Sequence, residues 1–575
     1  MRITALLPQT SFVSFPVVAA NNAHLLWLNR NISPKGPIDN YLLTARAPTS
    51  GKQRKRTTFA LADRYGGEGV GHNSGSGRCG LLDDVCIKGI GRTPLAASST
   101  DYFHSYGGAS ILEGILEVVW GEVLDCVLPF GATRVFALWT TGENVRLRYP
   151  RSFGPILAPG ALILREQNIR PAHFMRACSQ GASRLSPNGI SDTDRTRSAI
   201  RQWNPKEVVN CEGVAWQCDL TEAAREGARR TAQQIARARA RRIMHGSLTP
   251  SNFDLDGRWL DFTSATTLPD YGRIVIPRAA PDFMHEDKLV LRGLVDLDFY
   301  IKKFTPQYHE VISPRADFHL ADPFVHDLGK TLPKEFAILL GYTADLVEKL
   351  PSRITQRFYE ASLGISRPGN AHPRTILSKD NDYLPSLPVK TGRYRLGDVI
   401  TTLSACRDVH QANIWCAQLV GESALCAQIV DAWWNLREAA VAIDPDLRRH
   451  SRLVVSALAA LRLNLPHWPL CRTRLYPNLE SIILFPAATS SFVNSLIRYG
   501  KCNLSEAPPA NHSITLALDD LKSTVEYSDE GGFLLNGHPL TATNAIDAIA
   551  NGVYLSRPGQ EAFRALVGEA PIVGE

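Results

Sequence analysis

The segment from His245 to Phe262, HGSLTPSNFDLDGRWLDF, constrains the fold of this chain more than any other stretch of its sequence. A long alanine- and arginine-rich helical pattern leads into the His-Gly pair, and a short hydrophobic strand ends at Asp261. Asn252 precedes Asp261 by nine residues across a short predicted hairpin. A carboxylate and an amide oxygen are a minimal ligand set for Mg²⁺, which phosphate oxygens and water complete. The segment therefore predicts a metal-dependent phosphate site that a long helix leads into.

The outline of this loop is that of a kinase-type catalytic loop, but one residue is missing. No Asp lies between the His-Gly pair and Asn252, and Ser247 and Ser251 occupy the two positions at which such loops place their base. Asp254 and Asp256 come later and are typical of a turn. Three interpretations stay open. The protein binds nucleotide without catalysis, or it reacts without base help worth about 10²–10⁴-fold, or its acceptor is a carboxylate that is already ionised.

Composition limits the class of protein. The 575 residues are 44% hydrophobic and 21% charged, which predicts a globular chain of about two to four domains or lobes. The net charge of +7 suits an anionic ligand, and the absence of nucleic-acid recognition motifs makes nucleic acid an unexpected partner. The 11 cysteines form no CxxC pair, which predicts reduced thiols in a bacterial cytoplasm. The sequence has no signal peptide pattern and no apolar run of about 18 residues, so we expect no membrane span.

Changes of pattern along the chain predict an α+β protein. Residues 1–57 are expected to form an N-terminal arm and linker, and residues 58–180 a small β-rich lobe with one helix from Ser110 to Leu128. Residues 181–370 are expected to form a helical lobe that contains the catalytic loop. Its clearest helix has Thr221 as the predicted cap and arginines on a solvated face. Residues 371–575 are expected to be mainly helical, with a hairpin-like GGFLLNGHPL near the end and no assigned role.

Several residues of the β-rich lobe have chemistry that suits phosphate. The glycine-dense loop from Tyr65 to Gly80 allows backbone N–H groups to turn towards an anion, although a flexible turn explains it equally well. Lys88, on a predicted strand, and Glu117, on the following helix, match the lysine–glutamate pair with which kinase-type folds direct an ammonium at phosphate. Arg165 and Arg170 could grip phosphate oxygens in bidentate fashion. Each signal is modest, but their order along the chain is informative.

Together with the loop, these segments resemble the SelO family of protein adenylyltransferases. NNAHLLW (21–27) is similar to a family pattern near the start of the chain, and KGIGRTP (88–94) is similar to the family's K-G-x-G-x-T-P motif. The resemblance covers the first half of the chain and departs from the family at Ser251, where the family has Asp. RYGGEGVGHNSGSGRCG (64–80) and HSYGGASILEGILEVVWGEVL (104–124) also resemble the MchC branch, whose members accompany the biosynthesis of siderophore-linked microcins.

The resemblance implies a bilobal protein-kinase-like fold, with residues 58–180 as the N-lobe and 181–370 as the C-lobe, and a set of site residues. The catalytic residues implied are Lys88, Glu117 and Ser251. The ATP- and phosphate-binding residues implied are Gly75, Gly77, Arg78, Lys88, Gly107, Gly108, Arg165 and Arg170. The metal ligands implied are Asn252 and Asp261.

The resemblance also implies an activity. In the SelO family the nucleotide lies flipped relative to kinases, so that AMP rather than the terminal phosphoryl group is transferred. We therefore expect a nucleotidyltransferase that uses ATP and Mg²⁺, or Mn²⁺, to transfer AMP to a protein or peptide. A peptide carboxylate in microcin or other peptide maturation, with an acyltransferase as partner, is the acceptor that the missing base favours. The alternative is a nucleotide-binding pseudokinase that acts as a scaffold or regulatory partner of a modification enzyme.

Overall fold

The computed structural model describes the chain over most of its length. The described residues are 3–45, 57–67, 75–96, 106–146, 157–177, 189–203, 206–209, 215–271, 274–275, 282–305, 319–366, 374–375, 395–421, 423–483, 485–506, 513–528, 531–552 and 555–567. The centre of the glycine-dense loop (68–74) and the predicted boundaries at 180 and 370 lie outside these residues, so those boundaries stay predictions.

A nine-stranded sheet forms the N-terminal lobe. Its strands are β1 (Phe12–Ala19), β2 (His24–Leu28), β3 (Leu43–Thr44), β4 (Thr58–Asp63), β5 (Cys79–Leu82), β6 (Val85–Lys88), β7 (Ala109–Ser110), β8 (Val135–Arg146) and β9 (Leu157–Glu166). The order is β2-β8-β9-β6-β5-β4-β1-β3, with β7 paired to β9, and every pairing is antiparallel. The segment predicted as an arm therefore contributes three strands to this sheet, whereas residues 46–56 are not described.

Both faces of the sheet are buried near its centre. Ile163 on β9 joins a hydrophobic cluster with the helix that follows β7, whereas Leu162 and Leu164 point to the opposite face and pack with Phe15 and Ile87. This division follows from the alternation of side chains along a strand. The second cluster is enclosed by the sheet itself, which curls into a half-barrel.

The helix α1 (Ile111–Val127) confirms the helix predicted in this lobe. Its N-cap is Ser110, whose hydroxyl accepts from the Glu113 N–H, while the Glu113 carboxylate accepts from the Ser110 N–H at 2.8 Å. This reciprocal capping box satisfies backbone donors that would otherwise lie buried at the helix start. Because it is covered on nearly all sides, α1 is a buried helix that fixes the depth of Glu117.

Helices dominate the chain after the N-terminal sheet, which confirms the predicted α+β class with a β-rich N-terminal part and a helical C-terminal part. They are α2 (Asp192–Arg201), α3 (Leu220–Ala240), α4 (Asp287–Phe304), α5 (Ala321–Ile338), α6 (Ala344–Glu348) and α7 (Ser352–Ser366). Short strands accompany them: β10 (Lys206–Val209), β11 (Ala215–Cys218), β12 (Ile243–Met244), β13 (Thr266–Thr267), β14 (Ile274–Val275) and β15 (Arg374–Thr375). Among the described helices, none has both the length and the hydropathy to cross a membrane.

The start of α3 corrects one prediction. The cap is Asp219 and not Thr221, because the Asp219 carboxylate accepts a hydrogen bond from the Glu222 N–H at 2.9 Å. In turn, the Glu222 carboxylate accepts a hydrogen bond from the Asp219 N–H. The helix therefore begins one residue before Thr221, which lies in its first turn.

The remaining chain adds further helices and a small sheet. The helices are α8 (Leu396–Ala405), α9 (Val409–Val420), α10 (Ala424–Ile443), α11 (His450–Asn464), α12 (Arg472–Ile482), α13 (Pro486–Leu504), α14 (Ala542–Gly552) and α15 (Arg557–Val567). The sheet consists of β16 (Ser513–Ala517), β17 (Thr524–Ser528), β18 (Gly532–Leu535) and β19 (His538–Leu540). The segment predicted as a hairpin forms the antiparallel pair β18–β19.

The arginines at the end of α3 correct a second prediction. Arg239, Arg241 and Arg242 are buried rather than solvated. Arg241 donates to the Leu504 carbonyl at 2.7 Å, and Arg242 donates to carbonyls at the end of α11. Unpaired carbonyls at helix ends favour cationic donors. Arg241 and Arg242 therefore join the helical lobe to the C-terminal region, whereas Arg239 pairs with Asp287 on α4.

Candidate nucleotide-binding site

Lys88, Glu117 and Arg165 meet in a buried ionic contact between the sheet and the helical lobe. The antiparallel pairing of β6 with β9 places Lys88 and Arg165 on adjacent strands, with Cys86 opposite Arg165. Lys88 Nζ lies 2.8 Å from Glu117 Oε1, and Arg165 Nη1 lies 2.7 Å from Glu117 Oε2. All three side chains are at most 2% exposed. Glu117 therefore uses one oxygen for each cation.

Asp261 joins this contact from the helical lobe. Its carboxylate is ion-paired with Lys88 and lies 3.3 Å from Arg165 Nη1, and its backbone is left-handed, with φ of 67°. Such a conformation is uncommon for a residue with a side chain and is enriched at functional sites. Burial alone would raise the pKa of Asp261, but the charges of Lys88, Arg165 and Arg170 hold that pKa well below its ordinary value.

Arg170 completes the set, which we call the charge cluster: Lys88, Glu117, Arg165, Arg170 and Asp261. Its Nη1 donates to the Ser251 carbonyl at 2.8 Å and lies 3.9 Å from Asp261 Oδ2. The guanidinium carbon stacks 4.7 Å from the centre of the Tyr65 ring. Its Nε is buried without a hydrogen-bond partner among the described residues. A buried donor of this kind suits an anion such as phosphate.

The two predicted metal ligands are brought together by the hairpin. The Leu260 N–H donates to the Asn252 carbonyl at 3.0 Å, which places Asn252 beside the residue that precedes Asp261. Asn252 Nδ2 donates to the Ser247 carbonyl at 2.6 Å, whereas the amide oxygen accepts only a long bond, 3.5 Å, from the Ser251 hydroxyl among the described residues, so the oxygen is the atom that suits a ligand. Among the described residues, no group of three or more His, Cys, Asp or Glu side chains could hold a metal ion. Asn252 and Asp261 fit a hard cation only if phosphate oxygens and water complete its shell, as they commonly do for Mg²⁺.

The predicted glycines pack against the KGIGRTP segment. The Gly91 N–H donates to the Gly107 carbonyl at 3.0 Å, and the Thr93 N–H donates to the Gly77 carbonyl at 3.1 Å. Gly107 has a φ of +83°, and a Cβ there would overlap the Arg92 backbone. The close approach of these two segments, which lie between β6 and β7, therefore requires glycine at position 107, whatever ligand the lobe binds.

Arg78 lies in the same region without joining the charge cluster directly. It forms an ion pair of 2.9 Å with Glu113, and its Nη1 also lies 3.4 Å from the Gly108 carbonyl. Gly75 has a φ of +132°, and a Cβ there would overlap the Asp63 carbonyl. The structure thus places Arg78, Gly75 and Gly108 in the N-lobe near the cluster and leaves their predicted contact with nucleotide a prediction.

The loop before Asn252 contains no accessible general base. Ser251 has a hydroxyl in place of a carboxylate and exchanges a hydrogen bond of 2.9 Å with Thr249. The ring of His245 is fully buried against the Leu260 carbonyl, and burial lowers its pKa to about 4. An imidazole that is enclosed in this way cannot take a proton from an acceptor bound at the charge cluster.

A residue that sequence reasoning missed holds this loop in place. Glu286, at the start of α4, accepts from the backbone N–H groups of Gly246 and His245 at 2.5 and 3.2 Å. Burial raises the pKa of Glu286 to about 7. Only its position directly before a helical pattern could have indicated a structural role, and nothing in the sequence connects it to residues forty positions earlier.

Comparison with curated proteins finds a partial match. The protein nucleotidyltransferase YdiU of Marinomonas sp. (strain MWYL1) is 26% identical over 208 residues, which are 36% of this chain and 38% of that protein. This chain therefore matches less than two-fifths of the relative's length. No family model matches the chain. The similarity supports a relationship to the SelO family, to which YdiU belongs, and gives no support to the MchC branch.

Proposed function

We propose that this protein transfers AMP from ATP to a carboxylate of a peptide or protein, forming an acyl adenylate and pyrophosphate. The charge cluster is the observation that carries the proposal. Its three cations and two carboxylates leave a net charge of +1 in a buried position, and one arginine N–H has no partner within the described chain. The similarity to a protein nucleotidyltransferase supports the same class of reaction.

The cations of the cluster would hold the polyphosphate. Arg170 is the cation of the cluster whose Nε is buried without a hydrogen-bond partner among the described residues. Lys88 is shared by Glu117 and Asp261, so it can exchange one carboxylate for a phosphate oxygen and keep the other. Glu117 would keep Lys88 and Arg165 in position throughout. Fixed charges of this kind stabilise the negative charge that develops on departing pyrophosphate.

A divalent cation would be held by Asn252 and Asp261 together with phosphate oxygens. When bound, such a cation neutralises phosphate charge and orients the reacting groups. Asp261 is suited to this exchange because its side chain is 25% exposed, unlike the other carboxylate of the cluster. Its pKa, lowered by the neighbouring cations, keeps it ionised at any physiological pH. Mg²⁺ is the cation that this oxygen-only ligand pair favours, with Mn²⁺ as a substitute.

The nature of the acceptor follows from the loop. A hydroxyl acceptor must lose a proton as it attacks, but Ser251 cannot take one and His245 is enclosed. A carboxylate, with an ordinary pKa near 4, is already ionised and has no proton to lose. Its oxygen would form the new bond to the α-phosphorus while the bond to the β-phosphate oxygen breaks and pyrophosphate leaves with that electron pair. A peptide C-terminus, including that of a microcin precursor, is the acceptor we would test first.

The proposal is tested by incubating the protein with ATP, Mg²⁺ and peptides that end in a free carboxylate. We expect acceptor-dependent pyrophosphate release and, with hydroxylamine present, a peptide hydroxamate. Lys88→Ala should reduce release by about 10²–10³-fold, as loss of one preorganised charge does elsewhere. Lys501→Ala is the matched control, because Lys501 Nζ lies 2.8 Å from Glu122 on the same helix, as Lys88 Nζ does from Glu117, but outside the cluster.

Two results would contradict the proposal in different ways. Pyrophosphate release without hydroxamate would show AMP transfer to a hydroxyl, which overturns the carboxylate acceptor and keeps nucleotidyl transfer. A nucleotide-induced rise in melting temperature without turnover on any acceptor would favour the pseudokinase alternative, which the missing base also supports.

A further inference from the structure

A cavity of about 590 Å³ lies on the side of β9 opposite the charge cluster. Because successive residues of a strand face opposite ways, Glu166 lines this cavity while its neighbour Arg165 belongs to the cluster. Other walls come from the β5–β6 turn at Asp84 and from the hairpin between Asn252 and Asp261. The volume is in the range of small-molecule sites, about 300–1,000 Å³.

The walls of the cavity carry an excess of negative charge. The charged lining residues are Asp84, Glu166, Asp254, Asp256, Arg230 and Arg258. Four carboxylates against two guanidinium groups leave a net charge of −2. Both guanidinium groups are already engaged: Arg258 lies 3.0 Å from Asp254 and 3.1 Å from Glu166, and Arg230 lies 3.0 Å from Glu226 outside the cavity and 4.0 Å from Asp256 of the lining. These two arginines contact Glu166, Asp254 and Asp256, so Asp84 is the carboxylate of the lining for which the described residues show no cationic partner.

Asp84 is the carboxylate of the lining whose hydrogen bonds are least satisfied. It is only 9% exposed, and its Oδ1 is buried without a hydrogen-bond partner in the described part of the chain. Among the described residues, its Oδ2 accepts only a long bond, 3.3 Å, from the Lys35 backbone N–H. A carboxylate oxygen withdrawn from water without a donor is strongly unfavourable. A cationic donor in the cavity would relieve this.

The rest of the lining is apolar. Phe130, Phe136, Ile32 and Ile169 provide side chains beside the carboxylates. Such a combination suits a ligand whose charged head is carried by methylene groups. It suits a bare divalent metal less well, because no group of three or more metal-ligating side chains is assembled anywhere in the described residues.

We propose that this cavity binds an aliphatic cation, with its ammonium or guanidinium head at Asp84 and its methylene stem on the apolar side chains of the lining, Phe136 in particular, since the Arg230 guanidinium already lies over the Phe130 ring. The cation could be a free diamine or the lysine or arginine side chain of a partner protein, which present the same chemistry. Binding here requires no nucleotide turnover, so failure of the proposed adenylation would leave it intact.

The cavity also touches the parts of the fold that carry the cluster. Gln167 lines it and donates to the carbonyls of Asp83 and Val85 at 3.1 and 3.2 Å, which ties β9 to the turn before β6. Lys88 lies at the end of β6, and Asp261 ends the hairpin that forms the opposite wall. A ligand that bridges these walls is therefore placed to stabilise the relative positions of both cluster residues.

The test is calorimetric titration of the full chain with 1,5-diaminopentane, whose charge of +2 matches the excess, at constant ionic strength. We expect saturable binding with one site, and no binding of the neutral 1,5-pentanediol. Asp84→Asn should weaken diamine binding by about tenfold or more, as loss of one charge-assisted hydrogen bond predicts. Because it removes an unpaired buried charge, this variant should also melt at a higher temperature than the wild type, which excludes misfolding.

The matched control is Asp345→Asn, an exposed carboxylate on α6 that does not line the cavity and should leave diamine binding unchanged. A peptide Ala-Lys-Ala with blocked ends distinguishes the two sources of the cation. Competition with the diamine assigns the site to protein side chains, whereas its absence assigns the site to free amines. No saturable binding of the diamine, or equal binding by wild type and Asp84→Asn, would overturn the proposal.

Discussion

The substitution Glu286→Gln should remove a large part of the pH dependence of this protein's stability. Glu286 is buried, and burial raises its pKa from an ordinary 4.5 to about 7. The unfolded chain thus ionises near pH 4.5, while the folded chain resists ionisation up to about pH 7. At 1.36 kcal/mol for each pH unit, this separation corresponds to about 3 kcal/mol.

The sign follows from the direction of the shift. A raised folded-state pKa means that the protonated form is favoured by folding, so its stabilisation is fully present below pH 4.5 and is lost as the pH rises through about 7. Gln is neutral at every pH and keeps one oxygen for the Gly246 N–H. We therefore expect wild type to lose about 3 kcal/mol through this group between pH 4.5 and 8, and the variant to lose none of it.

The assay is amide hydrogen exchange of the segment 245–252 together with urea unfolding, both between pH 5 and pH 8. Exchange reports local opening of the loop, which matters because a chain of 575 residues need not unfold in one step. Glu348→Gln, a carboxylate whose side chain is 67% exposed, should retain the wild-type pH dependence. Identical pH profiles for wild type and Glu286→Gln would refute the role assigned to this carboxylate.

Three further predictions follow from the site. Glu117→Ala should lower the free energy of unfolding by about 3–5 kcal/mol in urea titrations, because it leaves Lys88 and Arg165 with Asp261 as the one carboxylate of the cluster and raises the cluster's net charge from +1 to +2; a loss below about 1 kcal/mol would contradict this. Asp261→Asn raises the net charge of the cluster from +1 to +2, so calorimetry in EDTA should show tighter ATP binding, with no further gain from Mg²⁺. Gly107→Ala should lower the melting temperature by more than Gly189→Ala does, because both glycines have positive φ but only the first Cβ would meet the Arg92 backbone.

The fold was predictable where the signal is local. The helix α1 has a Ser110–Glu113 capping pair and apolar residues at helical spacing, so its existence and its start are both visible in the sequence. The pairing of β1 with β4 was not visible. It joins Phe12 to Asp63 across a segment of linker composition, and no local pattern indicates which distant strand a given strand will pair with. Composition therefore indicated an arm where the fold has three strands of its main sheet.

The arginines at the end of α3 show a second reason why the sequence alone does not predict the fold in full. Arg241 and Arg242 have the composition of a solvated helix face, but carbonyls from the ends of distant helices enclose them. Those carbonyls belong to residues more than two hundred positions away. Charge alone predicts exposure, and only the tertiary partner reverses it.

At the site, the types of residue were predictable from the sequence, but the ion pairs between them were not. Motif order brings Lys88, Glu117 and Asp261 to attention as separate elements, each with its own role. In the structure Lys88 contacts both carboxylates at once, so the predicted metal ligand is engaged by the predicted phosphate ligand. The roles of these residues in binding phosphate and metal stay predictions.

This sharing has a consequence for the order of events at the site. Phosphate alone would approach a cluster in which Asp261 still repels it, and a divalent cation alone would compete with Lys88 and Arg165 for the same carboxylate. If the two arrived together, the divalent cation would bind Asp261, and the phosphate would bind Lys88 and Arg165, which Asp261 would then release. If the proposed function holds, we therefore expect the cluster to bind the metal–nucleotide complex more tightly than either component, a coupling that requires neither an added base nor any residue beyond those already in contact.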